Sequence, residues 1–239
     1  MSNIVIIIPA FQEYENLEFL LPLISNSILE NFADHSVNVI IVDSVEFNSK
    51  TKILCEENNF IYLNRKPENS FGDAIRSGFS FIIENLPTTK WVIVMDSDGS
   101  HDPSLFKNFN KFINDNSYDV VIASRYVEGG STDNHLFLIL LSKIVNIFYK
   151  YSFNLKIKDI SNNYRLYRYS CIQNINLVEK NFDIVEEILI KLVKSNKNLK
   201  IIEIPTKFSK RKFGKSKRNL VTFSLTYLKS IMRLRLHIK

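Results

Sequence analysis

Apolar runs four to six residues long recur along the first half of the chain, separated by polar or mixed segments. They are Ile4 to Ile8, Val37 to Val42, Phe60 to Leu63 and Trp91 to Met95. A further strand is expected over Asp119 to Ser124. These runs do not alternate with polar residues, so each predicts a strand buried on both faces. Between them the period lengthens. Leu17, Leu20, Leu21 and Ile24 share one helical face, with Pro22 expected to kink or divide that helix. Further helices are expected over Ser49 to Asn58, from Phe71-Gly-Asp-Ala-Ile-Arg-Ser-Gly78 onward, and over Pro103 to Asn114, where proline suits the first turn. The small residues of the Phe71–Gly78 stretch allow close packing on a sheet. Alternation of strand and helix over about 125 residues predicts an α/β, doubly wound, mostly parallel sheet.

Beyond Gly129-Gly130 the pattern changes. Leu136 to Leu155 is apolar and aromatic with interspersed Lys143, Asn146 and Lys150, which fits either a core-facing helix or one lying in a membrane interface. Asp159 to Arg168 is a polar-aromatic segment. A helix over Ile184 to Lys194 and a strand over Lys200 to Ile204 follow, and then a basic stretch, Phe208 to Arg218, leads into an apolar-rich helix. Val221, Leu225, Leu228 and Met232 are joined there by Leu220, Phe223, Tyr227 and Ile231, a face too wide for an ordinary surface helix. Residues 215–239 therefore read as a basic amphipathic tail on a domain spanning 1–214. Such a tail suits a membrane interface, a membrane subunit or a homo-oligomer contact.

Candidate chemistry gathers where the strands end. The run Trp91–Met95 stops at Asp96-Ser-Asp98, and residues two apart on an extended chain point the same way. Two carboxylates converging at the mouth of a parallel sheet repel each other, and a hard cation such as Mg2+ or Mn2+ relieves that repulsion while sharing oxygen ligands with a phosphate. Ser100 stands beside them as a third oxygen ligand. Asp43 and Arg125 close two other strands, so charge collects at one sheet edge. His101 adjoins the carboxylates as a turn residue, where solvation is the ordinary outcome.

Charge distribution sharpens the choice of partner. The net charge is +6, yet residues 200–239 hold twelve Lys or Arg against Glu203 alone, leaving the remainder net acidic. A basic tail on an acidic body suits anionic partners such as phosphates or a lipid surface. It argues against a nucleic-acid binder, which also lacks a recognition helix or a base-stacking platform. No G-x-G-x-x-G follows the first strand, which disfavours a nicotinamide-dependent dehydrogenase. Nothing in the chain is expected to reach the ~20 apolar residues of a membrane span. With two cysteines far apart, a reduced cytoplasmic setting is expected.

Six segments in order resemble the family 2 glycosyltransferases of the GT-A fold, close to the polyprenyl-phosphate and dolichyl-phosphate transferases. These are Pro9-Ala-Phe-Gln-Glu-Tyr-Glu-Asn-Leu17, Gly72 to Gly78, Met95-Asp-Ser-Asp-Gly-Ser-His-Asp-Pro103, Ser124-Arg-Tyr126 with Gly129-Gly130, Asp159 to Tyr167, and the spaced set Phe208, Arg211, Gly214, Ser216 and Lys217. The resemblance implies that Pro9, Phe11, Glu13, Val42, Asp43 and Ser44 meet the nucleoside of a nucleotide-diphosphate sugar. It implies that Asp96, Ser97 and Asp98 meet its ribose-diphosphate and metal, and that Arg125, Arg211 and Lys217 contact phosphates. The implied reaction is inverting transfer to a polyprenyl phosphate by a peripheral protein at a cytoplasmic membrane face. Ser44 departs from the family's two consecutive acids after the second strand, so a catalytically degenerate scaffold stays in view. Hydroxyl-acceptor relatives place a Glu-Asp pair near Glu186-Glu187, which keeps that acceptor class open, beside the plainer reading of two exposed helix acids.

Overall fold

A computed structural model describes residues 1–214 and 233–234. The expected tail over 215–239, including Lys217, lies outside the described residues apart from Arg233 and Leu234. Seven strands form one sheet. In chain order, β1 (Asn3–Pro9), β2 (Ser36–Asp43), β3 (Ile61–Asn64), β4 (Trp91–Val94), β5 (Val120–Ser124), β7 (Arg165–Arg168) and β8 (Ile201–Pro205) pack in the spatial order β3-β2-β1-β4-β7-β5-β8. A two-stranded sheet pairs β6 (Ser131–Thr132) with β9 (Lys207–Phe208). The helices are α1 (Tyr14–Asn31), α2 (Ser49–Glu57), α3 (Phe71–Asn85), α4 (Phe106–Asp115), α5 (Leu136–Phe153), α6 (Tyr169–Ile172) and α7 (Ile184–Ser195).

The apolar runs are strands because both their faces are covered. Val5 and Ile7 of β1 join one core with α3 and α7, while Ile4, Ile6 and Ile8 join the other with α1 and α4. Every one of these five side chains is at most 1% exposed. Gly78 lets α3 sit against β1, since a Cβ there would meet Ile7 Cγ2 at 2.9 Å. Gly72 serves a different contact. A Cβ would lie 2.2 Å from the Glu179 carbonyl oxygen, so this glycine admits the loop before α7 rather than the sheet.

The chain differs from its sequence pattern in four places. Helix α1 runs undivided through Pro22. Pro22 and Glu18, whose carbonyl loses its N–H partner there, both lie on the solvent face, so water replaces the missing bond. The polar-aromatic segment supplies β7, the one antiparallel strand of the main sheet, inserted between β4 and β5. It lacks an apolar run because Arg165, fully buried, spends its guanidinium on the carbonyls of Ile160 and Val185 and on the Tyr167 hydroxyl. Helix α5 is long and apolar enough, by length and composition, to cross a membrane. That departs from the expectation that no segment qualifies. Only Val145, Asn146 and Tyr149 of α5 are buried, and Leu136, Phe137, Leu140, Ile147 and Phe148 are exposed. Finally, Glu186 and Glu187 are not exposed helix acids, for both are completely buried.

Candidate active site

The strand ends place the candidate residues around one cavity of about 780 Å³ at the carboxyl edge of the parallel strands. Pro9 ends β1 and Phe11 and Glu13 follow it, Asp96, Ser97, Asp98 and Ser100 follow β4, Arg125 follows β5, and Arg211 follows β9. All of them line it. Val42, Asp43 and Ser44 do not. Val42 is fully buried and its carbonyl accepts from Ala10 N–H, while the Ser44 hydroxyl donates to the Glu46 carbonyl at 2.9 Å. They form the layer behind the cavity rather than its surface.

The carboxylate pair is held from both sides. Asn163 Nδ2 donates to Asp96 Oδ1 at 3.1 Å, and Ser100 donates to Asp98 Oδ1 through both N–H and hydroxyl, at 3.1 and 2.6 Å. Ser100 thus orients Asp98. Among the described residues neither carboxylate pairs with a lysine or arginine, and no group of three or more His, Cys, Asp and Glu side chains forms a cation cage. Two carboxylates without a counter-charge among the described residues, each with one oxygen already oriented by a neutral donor, fit a Mg2+ or Mn2+ that completes its shell with substrate phosphates and water. His101 is not a solvated turn residue. It is 1% exposed and stacked on Tyr164 with ring centroids 4.7 Å apart.

The cationic residues are already engaged. Arg125 makes a two-pronged pair with buried Asp159 at 2.8 and 2.7 Å, and Asp159 also accepts the Arg125 backbone N–H. Its charge is therefore largely balanced within the protein. Arg211 bonds both carboxylate oxygens of Glu13, at 2.7 and 2.6 Å. The strap carrying it is tied to the carboxylate turn: Ser209 N–H donates to the Ser100 carbonyl, and Lys212 N–H to that of Asp98.

Arg65, Asn69, Phe71, Ser161, Asn163 and Phe182 also line the cavity and escaped the sequence reading. Arg65 had a signal, a charge closing a strand, as Asp43 and Arg125 do. Burial lowers its pKa, and its guanidinium donates to the carbonyls of Ala10, Val42, Asp43 and Ser70, fastening the ends of β1 and β2 to the start of α3. The Phe11 ring lies 5.7 Å from it. Phe182 stacks on Phe71 at 4.4 Å, a pairing across distant segments with no sequence pattern to announce it. Glu187 holds the loop before α7, accepting from Val178 and Glu179 N–H groups and pairing with Lys191 at 2.7 Å.

A mostly parallel sheet with a carboxylate pair at its carboxyl edge is the arrangement of the GT-A fold. The fold is shared with glucosyl-3-phosphoglycerate synthase from Mycobacterium tuberculosis, solved with Mn2+, UDP and glucosyl-3-phosphoglycerate (TM-score 0.71, 12% identity, 99% of this chain and 80% of that one). Residues 5–175 match the profile described as Glycosyl transferase family 2, and the chain belongs to that family. Among its relatives are a polyprenol monophosphomannose synthase of Mycolicibacterium smegmatis, 27% identical over 221 residues (89% of this chain, 79% of the relative), and a dolichol-phosphate mannosyltransferase of Pyrococcus furiosus, 30% identical over 234 residues (96% of this chain, 62% of the relative). It is a glycosyltransferase.

Proposed function

We propose that this glycosyltransferase moves a hexose such as mannose, with inversion, from a nucleotide-diphosphate sugar to a polyprenyl phosphate at the cytoplasmic face of a membrane. The observation that carries the reading is the cavity itself. Asp96 and Asp98 share it with Phe11 and Arg211 and with the apolar Leu138, Leu141 and Val145 of α5. A charged leaving group and an isoprenoid chain call for such a mixed lining. The names of the two relatives point to the same acceptor class.

Asp96 and Asp98 would hold Mg2+ or Mn2+, which neutralises charge on the departing diphosphate. The protein's own part is orientation. Asn163 and Ser100 fix the carboxylates, the Phe11 ring and Arg65 shape the floor under the nucleoside, and Arg125 presents a buried guanidinium beside Ser142 and Ser161. A phosphate monoester is already ionised near neutral pH, so its attack needs positioning and no general base. A hydroxyl acceptor would need one. Glu187 is occupied by backbone N–H groups and Lys191, and neither Glu186 nor Glu187 lines the cavity, so the hydroxyl-acceptor reading finds no base at that pair.

The exposed apolar side of α5 supports peripheral attachment, with Lys143 and Lys150 placed to meet anionic headgroups. The test is incubation with radiolabelled GDP-, UDP- and CDP-sugars, short polyprenyl phosphates and Mn2+. Sugar recovered in the organic phase is expected. None with any donor would overturn the acceptor assignment.

A further inference from the structure

The Asp96 backbone N–H emerges past the end of β4 with no strand partner: Met95 N–H turns to β1, and on the other side the pairing with β7 ends at Val94. His101 takes its place: Nδ1 accepts from Asp96 N–H at 2.9 Å. The other ring nitrogen, Nε2, lies 3.0 Å from Asn162 Oδ1. Asn162 in turn donates through Nδ2 to the Ala123 carbonyl at 2.6 Å, which leaves its Oδ1 to accept. An acceptor at Nδ1 and a donor at Nε2 fix one neutral tautomer. The ring plane is set by Tyr164 beneath it and Phe208 at its edge, 5.4 Å away. The hydroxyl of that same Tyr164 donates to the Asp102 carbonyl. One imidazole therefore joins β5, the segment preceding β7, and the carboxylate turn.

We infer that His101 is a positioning residue for Asp96, setting the direction of that carboxylate before a cation arrives. This rests on the reading of Asp96 and Asp98 as the cation-bearing pair. Removing the Nδ1 acceptor leaves a buried N–H unsatisfied at the residue whose side chain must be placed, so the turn re-forms around another partner and Asp96 swings with it. A histidine that merely filled space could be replaced by any side chain of similar volume without that consequence.

Two substitutions separate the ring's two contacts. In His101→Asn the side-chain oxygen stands where Nδ1 does, keeping the bond to Asp96. In His101→Gln the terminal amide reaches towards Asn162 and the Nδ1 acceptor is lost. Mn2+ binding is measured by the loss of the free-ion electron paramagnetic resonance signal in the presence of UDP or GDP, and melting temperature is recorded alongside. The expected result is Mn2+ affinity within about 3-fold of wild type for His101→Asn and at least about 10-fold weaker for His101→Gln. Equal affinities in the two variants, or weakening that only follows melting temperature, would overturn the inference, as would failure of both to fold. Absence of Mn2+ binding by the wild-type protein would instead overturn the cation reading on which it stands.

Discussion

Glu13 and Arg211, 198 positions apart, meet in a two-oxygen ion pair at 2.6 and 2.7 Å across the mouth of the cavity. Asn16 repeats the connection one turn on, exchanging hydrogen bonds with the Phe213 N–H and carbonyl. The loop after β1 and the strap after β9 are thereby tied together at the part of the cavity proposed to take the nucleotide. Arg211→Ala is expected to raise KM for the donor sugar by about 10-fold with a smaller change in kcat, because the strap loses its anchor while the carboxylates stay in place. Steady-state kinetics check this. An unchanged KM would remove the strap from donor binding.

Asp98→Asn keeps the side-chain oxygen that accepts from Ser100 and removes only the charge. Turnover with Mn2+ is expected to fall by at least about 100-fold, with melting temperature nearly unchanged. Activity that survives in the variant, or that persists in the wild type after chelation of divalent ions, would contradict the assignment.

Asp159 has no exposed side-chain surface and is held by Arg125 on one side. On the other, its own N–H and that of Lys158 donate to the Glu203 carboxylate. Asp159→Asn strands a buried guanidinium. The expected loss of stability is about 3 kcal/mol by urea unfolding, since breaking one partner of a buried pair costs far more than the pair contributes. Activity should fall with it, because Arg125 is a cavity cation that Asp159 aims.

Asp183 lies in the wall before α7, where burial and the neighbouring Glu179 carboxylate raise its pKa to about 7. The native state then holds a proton that the unfolded chain releases near its ordinary value of 3.8. Stability from this group is present below that value and is lost as pH rises towards 7. Thermal melts of Asp183→Asn should lack this decline and exceed wild type at pH 8.

Leu140 and Ile147 project from α5 into solvent, 59% and 53% exposed. Replacing both with Asp should weaken sedimentation with anionic liposomes by at least about 100-fold, since each buried apolar side chain contributes roughly 1.5–3 kcal/mol. Turnover of a water-soluble short-chain acceptor should be little affected. Equal sedimentation would argue against this face as the attachment surface.

The strands β1, β2 and β4 could be read directly from the chain, because a run buried on two faces needs apolar residues, and the carboxylate pair was visible where the run Trp91–Met95 ended. The small-residue start of α3 was visible too, although only the fold showed that Gly72 makes room for the loop before α7 and not for the sheet. Strand β7 was hidden because its charges are satisfied by carbonyls distant in sequence. Asn163 was hidden for the same reason, and Arg65, though its charge closes a strand, shows its role only once the loop ends are brought together.

By itself, then, the sequence determined the alternating α/β pattern, the carboxylates at a strand end and the family to which they belong. These are local facts of periodicity and spacing. Only tertiary packing decided that Arg125 is balanced by Asp159, that Glu187 holds a loop, and that His101 faces inward onto Asp96. Each of those depends on the partner a buried polar group finds across the fold, and no local pattern encodes that partner.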